Sequence, residues 1–243
     1  MKMRILALLA TASVARAQTH AVIAKAEPHH HLAFEDGTIR VLRVRVGAHD
    51  TTLLHQHDAD YFWISLGAST IVNAKPGIPD ATVTSDDLSI HFTPGKFAHV
   101  ARNPGTTPFD NITVELLKPQ TGVRPLCDAV SSGALDCPAT SDRASKVLLG
   151  ATEHPSFQTN EVRVSLVTIE PGKTLKPGDP KRPAWIIALD TLDARADGKS
   201  LAVDSGGRWV GGTFHPSSPA WSLTNHSAHA VRAITVVQTA REH

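Results

Sequence analysis

The chain has 243 residues, of which 41% are hydrophobic and 19% charged, and its formal net charge is +1. This composition supplies enough apolar residues for a packed core and excludes a chain that is disordered throughout. Because no long run of one charge sign occurs, the sequence predicts neither a nucleic-acid-binding surface nor a surface for anionic membranes.

The first 17 residues have the pattern of an export signal. Lys2 and Arg4 give a positive start, residues 5–10 form a short apolar run, and residues 15–17 form a small-x-small cleavage site. The alternative, a membrane anchor, is disfavoured because the apolar run is too short to span a bilayer. We therefore expect cleavage after residue 17, a periplasmic or secreted protein, and no membrane attachment of the mature chain.

Residues 18–119 are predicted to form an all-β domain. Residues 39–46 are rich in β-branched side chains, residues 61–66 show the alternation of a strand, and residues 90–92 and 112–117 repeat the pattern. Pro-Gly pairs mark turns, and no stretch keeps a helical period over three turns.

Three histidines of this domain form a candidate metal site. His55 and His57 lie two apart on a predicted strand and therefore point to the same face. His99 follows a Pro-Gly turn on a later segment, where a neighbouring strand can bring a third imidazole alongside. Three neutral imidazoles suit one divalent transition metal ion such as iron, copper, zinc, nickel or manganese. The alternative is a pair of strand histidines without a metal.

A second His-x-His pattern runs from His29 to His31, in a polar arm beside Pro28. With 14 histidines in the chain, one such pattern is weak evidence for a site. We interpret this one as a polar arm with adventitious metal affinity.

Residues 120–150 break the strand pattern and are predicted to form a linker. They are rich in Gly, Pro, Ser and Ala, and they hold both cysteines, Cys127 and Cys137. In an oxidising compartment the two should pair, which would stabilise the fold by roughly 2–3 kcal/mol on the chain-entropy model. The alternative is a two-thiol metal or redox site, although the spacing differs from a C-x-x-C motif.

Residues 151–243 are a diverged copy of the first half. At an offset of 122 residues, and without a gap, many positions are identical. The residues of the first half that recur are Thr52, Leu53, Trp63, Ile64, Ala74, Phe92, Pro94, Ala98, Asn103, Ile112, Thr113 and Val114. The histidines do not recur: the residues at their positions are Pro177, Asp179 and Trp221. The second copy is therefore predicted to have lost the metal site, with Trp221 filling the lost pocket.

The histidine pattern of the first half resembles the first motif of the cupin superfamily, and the duplication resembles a bicupin. That motif is Gly, then His-x-His, then an acidic residue three or four positions later, then Gly. Gly47, His55, His57 and Gly67 match it, with two extra residues between Gly47 and His55.

The second cupin motif, Pro-x-Gly-x-x-His-x-x-x-Asn, is matched further along the chain. Pro94, His99 and Asn103 keep its spacing, whereas the glycine comes one place early, at Gly95. The resemblance covers most of residues 31–119 and extends over residues 151–243 as a degenerate copy.

One departure from the first motif concerns its acidic residue. The family's glutamate should fall at Tyr61 or Phe62, and neither is acidic. The nearest carboxylate is Asp60, which we consider as a fourth ligand, a neighbour of the ligands, or the group that takes a substrate proton. Tyr61 is a candidate ligand or substrate contact. Without either, the site is a three-histidine site.

Other polar and aromatic residues are assigned to structure. Glu115 alternates with apolar neighbours and is predicted to face solvent, and His91 is predicted to lie on the outer face of its strand. Trp63 and Trp185 recur at equivalent positions, which packing explains.

The resemblance implies two tandem cupin-type jelly-roll barrels with small-molecule chemistry at one metal ion in the first barrel. The commonest class that it implies is oxygen-dependent oxidation of a phenolic or enolic compound, as in quercetinase-like dioxygenases. Two alternatives stay open: a non-catalytic periplasmic module that binds a small ligand or metal, and a metal-dependent isomerase or lyase acting on a sugar acid. Cupin-like sandwiches often pair through edge strands, so a homodimer is also considered.

Overall fold

The computed structural model describes residues 20–127, 135–137, 148–177, 182–190, 192–196, 199–203, 213–214 and 222–239. The predicted signal peptide at 1–17 and most of the linker lie outside these ranges. The described residues form strands and a single short 3₁₀ turn at Ala24–Ala26, which confirms the all-β prediction. None of the described segments forms a helix long and apolar enough to cross a bilayer.

The first half contains ten strands in two sheets. They are β1 (Val22–Ile23), β2 (His30–Glu35), β3 (Ile39–Val46), β4 (His55–His57), β5 (Asp60–Ser65), β6 (Ser69–Ala74), β7 (Ala81–Ser85), β8 (Ile90–Thr93), β9 (Phe97–Arg102) and β10 (Phe109–Leu116). One sheet has the order β1-β4-β9-β6-β7, and the other contains the run β8-β5-β10-β3-β2.

The remaining strands belong to the linker and the second half. They are β11 (Arg124–Pro125), β12 (Leu135–Cys137), β13 (Leu148–Leu149), β14 (Thr152–Gln158), β15 (Val162–Ile169), β16 (Thr174–Pro177), β17 (Ala184–Ala188), β18 (Leu192–Ala196), β19 (Lys199–Val203), β20 (Thr213–Phe214), β21 (Leu223–Asn225) and β22 (Val231–Gln238). Their sheets have the orders β11-β14-β15-β22-β17-β20 and β13-β16-β21-β18-β19. Strand β12 instead pairs with β8, at the edge of a sheet of the first half.

The two halves have the same sheet topology. The run β4-β9-β6-β7 in the first half corresponds to β16-β21-β18-β19 in the second, and β8-β5-β10-β3-β2 corresponds to β20-β17-β22-β15-β14. The internal duplication predicted from the 122-residue offset is therefore confirmed.

A recurring asparagine fixes the same loop in both halves. The side-chain amide of Asn103 donates to the carbonyls of Val46, Gly47 and Thr107, and its oxygen accepts from the Gly105 N–H. Asn225 donates in the same way to two carbonyls, and its oxygen accepts from the N–H two residues later. This motif position therefore has a structural role, which explains why it survives in the half without the histidines.

The halves share one apolar core between their two six-stranded sheets. Phe62 of β5 and Phe157 of β14 meet edge to face, with ring centroids 5.5 Å apart. The Trp185 indole is buried in the same core, and its Nε1–H donates to Asp36 of the first half at 2.8 Å. Since alternate residues of a strand point to opposite faces, the other faces of these sheets line the interiors of the two barrels.

The two barrel interiors differ in chemistry. In the second half, the interior holds a cluster of buried apolar residues: Val167, Ile169, Leu175, Ala184, Ile186, Ala188, Leu223, Val231, Ala233 and Val237. In the first half, the interior contains a cavity with histidines in its wall. Of the residues aligned with the histidines, Asp179 and Trp221 lie outside the described residues.

The two tryptophans that align at the 122-residue offset face different ways, which corrects the prediction that they are equivalent. Trp63 lies opposite Thr113 on β10, whereas Trp185 lies opposite Val236 on β22. Thr235 is the counterpart of Thr113, but its register partner is Ile186 and not Trp185. Relative to the first half, strand β17 has therefore slipped by one residue. A slip of one residue exchanges the two faces of a strand. Trp63 consequently lines the first barrel, and Trp185 enters the shared core.

Candidate metal centre

The structure brings the three predicted histidines together inside the first barrel. Strands β4 and β9 pair antiparallel, which sets His55 directly opposite His99, and His57 follows on the same face of β4. One ring nitrogen from each side chain lies within 4.8 Å of the others, and all three residues are buried. That arrangement is compact enough for three imidazoles to share one cation.

Each of the three rings is held by its Nδ1 atom. His55 Nδ1–H donates to the Leu53 carbonyl at 2.9 Å, and His99 Nδ1–H donates to Asn73 Oδ1 at 2.8 Å. His57 Nδ1–H donates to Glu115 Oε1 at 3.1 Å. These bonds fix the tautomers, so each Nε2 carries the lone pair that a metal ion needs.

The Nε2 atom of His99 provides the test of whether a metal fits. It is buried, and it finds no hydrogen-bond partner among the described residues. Leaving such a group unsatisfied costs about 1–3 kcal/mol, and native structures rarely tolerate it without a reason. A divalent cation accepting that lone pair, together with those of His55 and His57, removes the cost.

Burial keeps two of the three imidazoles, those of His55 and His99, neutral. It lowers the pKa of His55 to about 4 and the pKa of His99 to about 2 in the metal-free protein. At neutral pH neither ring has to lose a proton before it binds a metal ion.

The histidines form part of the wall of a cavity of about 480 Å³. Its apolar end is lined by buried Val44, Ile71 and Phe109, with Trp63 and Val83 packed against them. The full set of lining residues is His30, Val44, His55, His57, Tyr61, Trp63, Ile71, Asn73, Lys75, Val83, His91, Phe92, Thr93, Pro94, Gly95, Phe97, His99, Ala101, Phe109, Asn111 and Thr113. The cavity has the size and the mixed apolar and polar lining of a small-molecule site.

Solved structures share this architecture. Aligned with AerE from Microcystis aeruginosa, the chain has a TM-score of 0.63 at 12% sequence identity, over 88% of this chain and 94% of that one. With salicylate 1,2-dioxygenase from Pseudoaminobacter salicylatoxidans the TM-score is 0.52 at 14% identity, over 83% and 68%. With oxalate decarboxylase from Bacillus subtilis it is 0.52 at 11% identity, over 83% and 68%.

The chain has a two-barrel cupin fold. At these identities the likeness shows the fold alone. No protein-family model matches the sequence, and no curated protein matches it.

Asp60 was predicted to take the place of the acidic residue of the first cupin motif, but its carboxylate does not lie with the three histidines. Its Oδ1 accepts a hydrogen bond from the Gly95 N–H at 2.9 Å, and it lies outside the cluster of candidate ligand atoms. The reason is strand phase: Asp60 lies opposite Leu116 and shares a face with Phe62, which packs in the core between the barrels. Asp60 is therefore not among the described groups that could hold a cation.

Tyr61, at the position of the cupin glutamate, points into the cavity. Its ring stacks on His57 with centroids 4.1 Å apart and an interplanar angle of 20°. Burial raises the pKa of its hydroxyl, so the phenol stays protonated at neutral pH. Tyr61 thus supports a ligand histidine and forms part of the cavity wall.

Glu115 is the functional residue that the sequence-based prediction missed, since we expected it to face solvent. It is buried, and its two oxygens accept from His57 and Arg40. Arg40, Glu115 and Tyr61 are register neighbours across β3, β10 and β5, so His57 is held by two adjacent residues. Burial opposes ionisation of Glu115, but the hydrogen bonds from His57 and Arg40 outweigh it and hold its pKa below the ordinary value.

Two further histidines lie closer to the site than predicted. His30 of the polar arm is buried, its Nδ1–H donates to the Ala24 carbonyl, and its ring centroid lies 4.7 Å from that of His55. His91, predicted on an outer face, is buried in the cavity wall and stacks on Trp63 at 4.0 Å. Neither belongs to the cluster of three candidate ligands.

Proposed function

We propose that the protein binds one divalent transition metal ion at His55, His57 and His99, and that it is an oxidoreductase of the dioxygenase type acting on a small phenolic or enolic molecule. The observation that carries the metal site is the buried, unpartnered Nε2 of His99 beside two other anchored imidazoles. The reaction class is supported by the shared fold of salicylate 1,2-dioxygenase, which was solved as an adduct with gentisate.

The residues of this chain would leave the positive charge of a bound metal ion unneutralised. All three ligands are neutral imidazoles, and no Asp or Glu among the described residues lines the cavity. A bound iron or copper ion would supply Lewis acidity and electron transfer. Glu115 would increase the basicity of His57 from behind, while the apolar end of the cavity would keep bulk water from the substrate.

The proposal also covers export of the chain and disulfide formation. We propose that residues 1–17 are removed on export and that Cys127 pairs with Cys137 in the oxidising compartment. The composition of the N-terminus and the presence of two cysteines support this. Mass spectrometry of the protein from its host would test both, because the mature mass and the number of alkylated thiols change independently.

A metal analysis joined to an oxygen assay tests the proposed activity. Mature protein is purified without added metal, its bound ion is identified, and oxygen uptake is followed with catechols, flavonols and gentisate. We expect iron or another redox-active metal and substrate-dependent oxygen uptake. Zinc alone with no oxygen uptake would overturn the dioxygenase function and favour a non-redox reaction or a binding module on the same fold.

A further inference from the structure

We infer that the ligand of this cavity is a small organic anion, a carboxylate on an apolar body, and that Lys75 recognises its negative charge. This deepens the proposed function, on which it rests, by naming the chemical class of the substrate. It assigns a specificity-determining role to a residue outside both cupin motifs.

The charge of the cavity wall is the first observation. Among the described lining residues Lys75 is the only one with a permanent charge, and none is acidic. The described wall therefore has no carboxylate to neutralise this ammonium. A cavity wall with one unopposed positive charge attracts anionic organic ligands.

The second observation is that the Lys75 ammonium has no acceptor in the described part of the chain. Its Nζ lies 3.8 Å from the ring centroid of Phe97, which is a cation–π contact. No hydrogen bond or ion pair joins it to any described residue. An ammonium offers three N–H donors, so a carboxylate at this point gains charge-assisted hydrogen bonds that the protein does not provide.

The third observation is where Lys75 lies along the cavity. Ile71, Asn73 and Lys75 alternate along β6 and beyond its end, and all three line the cavity. Asn73 accepts a hydrogen bond from the ring of His99. The Phe97 ring, which lies under the Lys75 ammonium, has its centroid 5.3 Å from that of His99. The charge is therefore next to the candidate metal ligands.

An apolar cluster in the cavity wall explains the apolar body of the ligand. Buried Ile71 and Phe109 belong to one apolar cluster of the wall, and Val83 and Trp63 pack against it. An anion whose head lies by Lys75 can place its apolar part against this cluster. A ligand with hydroxyl groups all around, such as a sugar acid, would place some of them against this apolar cluster, which costs binding free energy.

A pair of isosteric probes tests this inference. Benzoate and benzamide differ in charge but hardly in shape, and their affinities are measured by titration calorimetry on the full chain loaded with zinc and on the metal-free chain. We expect wild-type protein to prefer benzoate in both forms. Lys75→Met should weaken benzoate binding about tenfold without changing benzamide binding, and Lys75→Arg should retain the preference.

The matched control is Lys96→Met, which removes the same charge from an exposed residue of the neighbouring turn. It should leave both affinities unchanged. The inference is overturned if wild-type protein does not bind benzoate in the millimolar range, if it binds the two probes equally, or if Lys75→Met keeps the benzoate preference. Failure of the proposed function is distinguished from failure of this inference, because the benzoate and benzamide affinities of the metal-free protein test Lys75 even if the protein takes up no metal.

Discussion

His57 Nδ1 lies 3.1 Å from Oε1 of Glu115, a carboxylate on the opposite sheet of the first barrel. Because Glu115 also accepts from Arg40, its charge is held in place and its other oxygen stays directed at the imidazole. The fold thus provides a carboxylate that holds the Nδ1 side of a candidate ligand. The acidic residue of the first cupin motif instead follows the His-x-His pair along the chain.

Replacing Glu115 with Gln should weaken metal binding without abolishing it. The amide cannot match the charge of the carboxylate, so His57 becomes a poorer donor, and removal of such a partner typically lowers metal affinity by about 10- to 100-fold. Competition with a chromophoric chelator measures the change. The control is Glu153→Gln, which alters a buried carboxylate of the second half that accepts from Ser165 and Arg163. Equal losses in both variants would show that the effect is general destabilisation.

The failure to identify Glu115 from the sequence has a physical reason. Asn111, Thr113 and Glu115 alternate with Ile112 and Val114, a pattern typical of a strand with one face in solvent. In this barrel both faces of β10 are covered: the apolar face packs in the core between the halves, Asn111 and Thr113 of the polar face line the cavity, and Glu115 is buried against His57 and Arg40. Alternation reports which residues share a face but not what that face meets.

The metal-free protein should lose stability as the pH falls. An unfolded imidazole has a pKa near 6.5, whereas burial lowers the pKa of His55 to about 4 and that of His99 to about 2. Below pH 6.5 the unfolded chain binds protons that the folded chain does not, so the free energy of unfolding falls until the folded pKa is reached. Each histidine should account for roughly 2 kcal/mol between pH 7 and pH 5.

Urea unfolding of the chelator-treated protein at the two pH values measures this loss. His55→Gln should flatten the dependence by the share of one histidine, since glutamine does not titrate. Equal unfolding free energies of the wild-type protein at pH 7 and pH 5 would contradict the buried, neutral state of these rings.

Gly95→Ala should destabilise the first barrel and weaken metal binding. A Cβ atom at Gly95 would lie 2.2 Å from the Ala59 carbonyl oxygen, so the turn has to move. The next residue, Lys96, donates its N–H to the His57 carbonyl at 2.6 Å, which transmits the movement to a candidate ligand. We expect a loss of about 1–3 kcal/mol in the free energy of unfolding.

Gly37→Ala is the control for this substitution. A Cβ atom there meets no atom within 4 Å, and the change should leave both stability and metal affinity unchanged. A Gly95→Ala protein as stable as Gly37→Ala would disprove the close approach between the two backbones. The early glycine of the second motif is thus explained by packing against residues 59 and 60.

Trp185→Phe should destabilise the protein more than the same change at Trp63. Trp185 is buried between the halves and donates to Asp36, so phenylalanine leaves a small cavity and an unfilled acceptor, at a cost of about 1–3 kcal/mol. Trp63 is half-buried and borders a cavity that already exists. Urea unfolding of both variants measures the difference, and a larger loss for Trp63→Phe would contradict the one-residue slip of β17.

The parts of the site that the sequence predicted were those fixed by strand geometry. His55 and His57 share a face because they are two apart on β4, and the duplicated pattern with its lost histidines singled out His99. The supporting residues depend on strand order and register, which a single sequence does not contain. Asn73 reaches His99 only because β6 lies beside β9, and His30 reaches the site only because the arm folds back on β3.

Metal stoichiometry of the wild-type protein and of His99→Gln tests the central claim most directly. Elemental analysis after dialysis against a weak chelator should find one divalent transition metal ion per wild-type chain and none in His99→Gln. His91→Gln, which alters another histidine of the same cavity, should keep the full complement. The account is contradicted if the wild-type chain retains no metal, or if His99→Gln retains as much as the wild type.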